Sequence, residues 1–219
     1  MNKKRKGTFI VLDGGDGAGK GTVAKKIVEK LGWVAVHTRE PGGTPYAEKI
    51  REMILSDYAK LSDAETQFAL FWASRRENLK HTIIPALEAG KIVICERFDS
   101  SSYAYQVVAQ GNTQLEELFW HMRDVFIGEY TPDMYILLDI DPQDGLARVQ
   151  PSDFGEIDHF EKRKLEFHTK VGKGLREFIL QKVEKISGGR SKGEVVDASQ
   201  PLEKVIADVS EIVSKIADK

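Results

Sequence analysis

The sequence predicts an α/β fold, a five-stranded parallel sheet with helices on both faces. Three observations carry that expectation. Five short apolar runs punctuate the chain. The stretches between them repeat apolar residues at helical spacing. A glycine-rich segment joins the first run to the first amphipathic stretch, as a strand-turn-helix unit requires. The 219 residues suffice to bury about 70% of the unfolded surface. No linker, internal repeat or low-complexity tract interrupts them, so residues 1–219 are expected to form one domain.

In chain order, Thr8–Asp13 reads as a buried strand. Lys20–Leu31 reads as a helix with Val23, Ile27, Val28 and Leu31 on one face. Trp33–Thr38 is the second strand, and Pro41-Gly42-Gly43 then breaks the chain. Tyr46–Leu55 is helical. Asp63–Leu87 reads as one long helix or two, with Pro85 the expected break. Lys91–Arg97 is the third strand, followed by a serine-rich turn. Helices are expected over Tyr103–Gln110 and Thr113–Ile127, and strands over Met134–Ile140 and Gly193–Asp197. The closing helix carries Leu202, Val205, Ile206, Val209, Ile212, Val213 and Ile216 as one stripe, with Pro201 suited to its first turn. Between two helices, Gln150–Asp158 is the least regular stretch and is expected to be a mobile loop.

Composition narrows the function classes. Lys plus Arg is 32 and Asp plus Glu is 34, a formal charge of −2. A dedicated nucleic-acid binder would carry a basic excess, so none is expected as partner. No apolar run approaches the roughly 20 residues of a membrane helix. The basic start Met1–Lys6 is followed by too short an apolar run for a signal peptide, and a cytoplasmic location is expected. Cys95, the single cysteine, reads as a buried apolar residue at a strand end. His37, His81, His121, His159 and His168 show no metal-like i, i+4 pairing.

The strongest motif is Gly14-Gly15-Asp16-Gly17-Ala18-Gly19-Lys20-Gly21-Thr22, which satisfies G-x-x-x-x-G-K between a strand and a helix. Glycines let backbone N–H groups converge on phosphate oxygens, and the helix N-terminus adds partial positive charge. Gly15, Asp16, Gly17, Ala18, Gly19, Lys20, Gly21 and Thr22 are therefore candidate ATP-binding residues, with Lys20 reaching the terminal phosphates. The fold expected is the three-layer P-loop NTPase fold. Gly21 stands where Ser or Thr is usual, so Thr22 is the candidate hydroxyl for Mg²⁺. Outside this loop there is no D-x-x-G, and [NT]-K-x-D is absent, which weighs against a GTPase switch.

Three further segments follow strands or lie on a helix. They are Thr38-Arg39-Glu40-Pro41-Gly42-Gly43-Thr44-Pro45, Leu70-Phe71-Trp72-Ala73-Ser74-Arg75-Arg76, and Glu96-Arg97-Phe98-Asp99-Ser100-Ser101-Ser102-Tyr103-Ala104-Tyr105-Gln106. With the P-loop, and down to Asp197-Ala198-Ser199-Gln200-Pro201, they resemble the thymidylate kinase family over nearly the whole chain. The resemblance implies an ATP- and Mg²⁺-dependent enzyme that converts dTMP to dTDP, acting as a homodimer. Beside it stands a direct reading: phosphoryl transfer between nucleotides needs positive charge on both phosphate chains, and Arg97 ends a strand where open α/β sheets bind ligands. The resemblance makes Arg97 the bridge between donor and acceptor phosphates and Glu96, an Asp in most members, a holder of Mg²⁺ through water. It places Arg39 and Arg51 near the acceptor phosphate, and Asp16 near the sugar 3′-hydroxyl. Phe71 and Arg75, four apart and so on one helix face, would stack on and hydrogen-bond the base. Spacing alone favours a core Phe71 and a solvated Arg75 over a base contact, and the surrounding motif reverses that reading. Tyr105 and Gln106 match residues near deoxyribose and base, and Ser102 stands where some members have Asn or Gln.

The lid is the weakest match. Neither the P-loop variable positions nor Gln150–Asp158, the candidate lid, contains the arginine that members supply. Arg148, just before it, resembles a residue that stacks on adenine, and Arg163 lies just beyond. Transition-state charge would rest on Lys20, Arg97, Mg²⁺ and Arg148, which implies a slower kinase. Two alternatives remain at this level. A deoxynucleoside kinase shares the P-loop and a Glu-Arg pair, and the arginine-poor lid fits a nucleotide-binding homologue that has lost catalysis.

Overall fold

A computed structural model describes residues 7–149 and 164–217. Its centre is one sheet in the order β2-β3-β1-β4-β5, with every neighbouring pair parallel. The strands are β1 (Thr8–Gly14), β2 (Ala35–Arg39), β3 (Ile92–Glu96), β4 (Met134–Asp139) and β5 (Lys192–Asp197). The strand period of two splits their side chains between two cores. Phe9, Val11, Val93, Cys95, Tyr135 and Leu137 face one side. Ile10, Leu12, Ile94, Ile136 and Leu138 face the other.

The second, smaller core is closed by α1 (Lys20–Leu31) and α10 (Leu202–Ala217), which pack together through Val23, Ile27, Val205, Val209 and Val213. The first lies under α2 (Pro45–Leu55), α3 (Ala64–Asn78), α6 (Gln114–Phe126) and α8 (Leu165–Glu177). Caps fix where several helices start. Thr44 Oγ1 accepts from Ala47 N at 3.1 Å with Pro45 behind it, and Asp63 accepts from Thr66 N at 2.7 Å. Short helices complete the chain: α4 (Ile84–Glu88), α5 (Asp99–Ser102), α7 (Pro142–Arg148) and α9 (Val183–Ile186). Among the described residues no helix is long and apolar enough to cross a membrane.

The structure departs from the sequence expectation in three places. Trp33 belongs to a 3₁₀ turn before β2 and is 85% exposed, so the strand begins two residues later. The helical run after Asp63 does not break at Pro85. It widens into a π turn at Leu79–Ile83 and continues as α4. A proline lacks the N–H of a normal turn and crowds the one before it, and the widened turn accommodates both defects. The serine-rich segment is helical, not a turn: α5 runs straight into a second π stretch at Tyr103–Ala109. Gln150–Asp158, the expected lid, and Arg163 lie outside the described residues.

The loops after β1, β2 and β3 all leave the carboxyl edge of the sheet, the edge at which parallel sheets bind ligands. Two backbone bonds tie them together there. Arg97 N donates to Leu12 O, and Glu40 N to Glu96 O, both at 2.9 Å.

Candidate active site

The glycine loop leaves β1 and ends on α1. Gly17 and Gly19 take left-handed φ values of 73° and 83°, which non-glycine residues adopt only at a cost. Gly19 is the N-cap of α1, no side chain caps it, and no acid sits in the first turn. The helix thus presents its first N–H groups to the loop interior. Lys20 folds back over the loop, its Nζ donating to Gly14 O at 3.0 Å and Gly15 O at 2.7 Å. Burial, then the nearby Arg97 guanidinium, outweigh the carboxylates of Asp16, Asp13 and Glu96 and bring the Lys20 ammonium down to about 8. Thr22 is exposed on the first turn.

Arg97 follows β3 with φ 61°, the only positive φ at a non-glycine among the described residues. Backbone strain of this kind persists where surrounding contacts enforce it. Its Nη2 donates to Asp16 Oδ1 at 2.5 Å, and its Nη1 to the Tyr105 hydroxyl at 3.2 Å. Tyr105 OH in turn lies 3.3 Å from Asp16 Oδ2. Burial pushes the Asp16 carboxyl up, but Arg97, Lys20 and His168 together hold it below the usual range. His168, from α8, approaches within 3.5 Å of Asp16 Oδ2.

Beside this cluster opens a cleft of about 150 Å³. Asp16, Arg97 and Tyr105 line it together with Arg51, Leu55 and Phe71, and so do Arg75, Ser102 and Gln106. Arg75 is 1% exposed. Its Nε donates to Glu40 Oε2 at 2.8 Å, and its Nη2 to Phe98 O and Ser102 Oγ. Its guanidinium lies 4.5 Å from the Trp72 ring centroid. Arg75 Nη1 remains buried without a hydrogen-bond partner, as does Gln106 Oε1. Buried polar atoms are ordinarily satisfied, and both of these residues line the cleft.

The outlying candidates are placed differently. Arg39 does not line the cleft. It pairs with Glu48 at 2.8 Å and donates to Pro41 O at 3.0 Å, the same carbonyl that Arg51 Nη1 reaches at 3.1 Å. Arg148, at the end of α7, donates to Ala198 O at 2.8 Å and so lies on the loop between β5 and α10. Glu96 Oε1 is 2.6 Å from His37 Nε2. Burial raises the Glu96 carboxyl, but the His37 bond, then Lys20 and Arg97, hold it below the usual range. Among the described residues no cluster of three His, Cys, Asp or Glu is metal-like. An ionised carboxylate against the N-terminal turn of α1 does suit Mg²⁺, which binds through few carboxylates plus phosphates.

Sequence reading missed Glu40, Pro41, Leu55, Phe98 and Ser101 as cleft residues. Glu40 stands next to Pro41 in a motif singled out for its arginine, yet its partner is Arg75, 35 residues on. Burial pushes the Glu40 carboxyl up to about 7, despite Arg75 and Asn78. His168 approaches Asp16 from far along the chain, and no local sequence signal links the two.

The family model described as thymidylate kinase matches residues 12–209. The thymidylate kinase of Geobacillus thermodenitrificans is 37% identical over 214 residues, spanning 96% of this chain and 91% of the relative. That of Bacillus licheniformis is 39% identical over 212 residues, spanning 95% and 96%. The crystal structure of thymidylate kinase from Ehrlichia chaffeensis superposes with a TM-score of 0.71 at 27% identity, covering 95% of this chain and 98% of that one.

Proposed function

The chain belongs to the thymidylate kinase family, and from that premise we propose a reading of its site. The enzyme is an ATP:dTMP phosphotransferase that makes dTDP. The deoxynucleoside kinase alternative is not favoured. The observation that carries the substrate reading is the pair of open polar atoms in the cleft, Arg75 Nη1 as donor and Gln106 Oε1 as acceptor. A thymine edge offers the complement: O4 accepts and N3–H donates. Cytosine offers the reverse, an amino donor and a bare N3 acceptor. Phe71 supplies a ring for the base to stack on. Ser102 already accepts from Arg75, so its hydroxyl serves the base through that arginine.

In this reading dTMP lies with its phosphate toward Arg97 and Arg51, and Arg39 steadies that wall through Glu48 and Pro41. The ATP phosphates lie in the loop Gly15–Thr22 under Lys20, with adenine beside Arg148. An acceptor phosphate oxygen attacks the γ-phosphorus in line, the bond to the β-phosphate oxygen breaks, and ADP leaves. Arg97 spans both chains, and Asp16 and Tyr105 hold its guanidinium in place. Glu96, with Thr22, is the residue we assign to Mg²⁺, which supplies charge neutralisation on the phosphates when bound. The protein is proposed to be cytoplasmic, which suits a single cysteine kept as a buried thiol, and to be a homodimer. A partner surface on α6 cannot use Phe119, which is fully buried among Trp72, Tyr103 and Phe178. Trp120 and Met122 are half-buried against the same core.

A coupled assay with dTMP, dCMP and thymidine tests this. A site that hydrogen-bonds one edge rejects the mismatched one by about 10⁴ in kcat/KM, so dTMP is expected to exceed dCMP by that order. Thymidine, lacking a phosphate for Arg97, is expected to be inert. Comparable turnover of dCMP or thymidine would overturn the assignment.

A further inference from the structure

Two departures from the usual motifs meet at one point in space. Gly21 replaces the hydroxyl residue of the P-loop, and Glu96 carries one methylene more than the usual Asp. Gly21 lies in the first turn of α1 with no left-handed φ. Its backbone therefore does not require glycine, and glycine is a poor helix former there. What the position requires is space. A Cβ on Gly21 would lie 3.2 Å from Glu96 Oε2, 3.6 Å from Oε1 and 3.7 Å from Cδ, the nearest atoms apart from its chain neighbours and the backbone of its own helix. The first distance is tighter than ordinary van der Waals contact, and a hydroxyl adds another atom to the same space. The other carboxylate oxygen is held from the neighbouring strand, where His37 Nε2 lies 2.6 Å from Oε1.

We propose that Gly21 and His37 are positioning residues that together set the pose of the Glu96 carboxylate against the N-terminal turn of α1. Gly21 vacates the room that the longer side chain fills, and His37 fixes its outer oxygen. Residues 21, 37 and 96 thus act as one unit, and a change at one is felt at the others. That this pose serves the metal rests on the role given above to Glu96.

A double-mutant cycle separates the two ideas. Gly21→Ala, Glu96→Asp and their combination are compared for Mn²⁺ affinity in complex with a non-hydrolysable ATP analogue, read by electron paramagnetic resonance, and for thermal midpoint without ligands. Gly21→Ala alone is expected to weaken Mn²⁺ about tenfold by displacing Glu96. In the Glu96→Asp background the same alanine is expected to cost less than about twofold. His37→Leu is expected to weaken Mn²⁺ severalfold, and His37→Gln, which keeps a donor, to recover most of it. Additive effects in both readouts, or a His37→Leu variant indistinguishable from the parent, would overturn the proposal. Failure of the metal assignment looks different: Glu96→Asp leaves Mn²⁺ affinity unmoved, while the thermal cycle still shows coupling between 21 and 96.

Discussion

Beneath the cleft, Glu40 is 4% exposed and holds the Nε of Arg75. The arrangement holds a guanidinium in the proposed base subsite, where Arg75 alone would be an unpaired buried charge. Its own cost shows in the carboxyl, which burial pushes up to about 7. The folded chain keeps a proton there that the unfolded chain has already released, so the contribution of this group is full below about pH 4.5 and is lost as pH rises through about 7. Glu40→Gln has a permanently neutral side chain of the same shape. The variant is therefore expected to gain stability relative to the native chain as pH rises from about 5 to about 8, by up to about 3 kcal/mol. Urea midpoints at the two pH values check it. A constant difference would show that Glu40 ionises in the folded chain at its ordinary pH. Activity at pH 8 is expected to fall mainly through a higher KM for dTMP, because Arg75 loses the charge that orients it.

Helix α7 gives the same lesson for a whole element. Gly145 faces the P-loop so closely that an added Cβ would lie 2.4 Å from Asp16 O, and a Cβ on Gly17 would lie 1.9 Å from Gly145 O. Two glycines thus let α7, which ends on Arg148, lie directly against the phosphate loop. Helix propensity alone would make Gly145→Ala stabilising by about 1 kcal/mol. Packing reverses the sign: the variant is expected to melt lower and to raise KM for ATP about tenfold, since relief must come from moving Asp16. A higher melting temperature with unchanged KM would refute this packing argument. Nothing in the local sequence marks Gly145, whereas α1 and α10 were readable because their apolar stripes face only the core and their ends coincide with glycine and proline. The α5 segment misled for a definable reason. Serines compete with the backbone for hydrogen bonds and so favour turns, but Ser100 and Ser101 here donate to the buried Asp13 carboxylate, at 2.6 Å and 2.9 Å, which leaves the helix intact.

Across the whole molecule a net charge of −2 coexists with a site built for two anions. The resolution is local placement: the carboxyl edge of the sheet gathers Lys20 and Arg97 from the loops after β1 and β3, with Arg75 from α3 beside them. Asp16, Glu96 and Glu40 stand next to them as internal counter-charges. The broad outline of this edge was legible, because the loop glycines, Lys20 and Arg97 each follow an apolar strand. Glu40 was harder to place, because its partner Arg75 lies far along the chain. Burial, then the Arg97 guanidinium, bring the Lys20 ammonium down to about 8, below the ordinary lysine range. A triphosphate in the loop adds negative charge beside it and favours the protonated form. Binding must then take up a proton wherever the empty site has lost one, which means increasingly as pH rises from about 7 to about 9. Calorimetry of ATP binding in two buffers of different ionisation enthalpy is expected to show that uptake growing over this range. Lys20→Met is expected to abolish the growth along with turnover. Buffer-independent heats at pH 9 in the native chain would mean that Lys20 keeps its proton in the empty loop, and that the desolvation argument for its position is wrong.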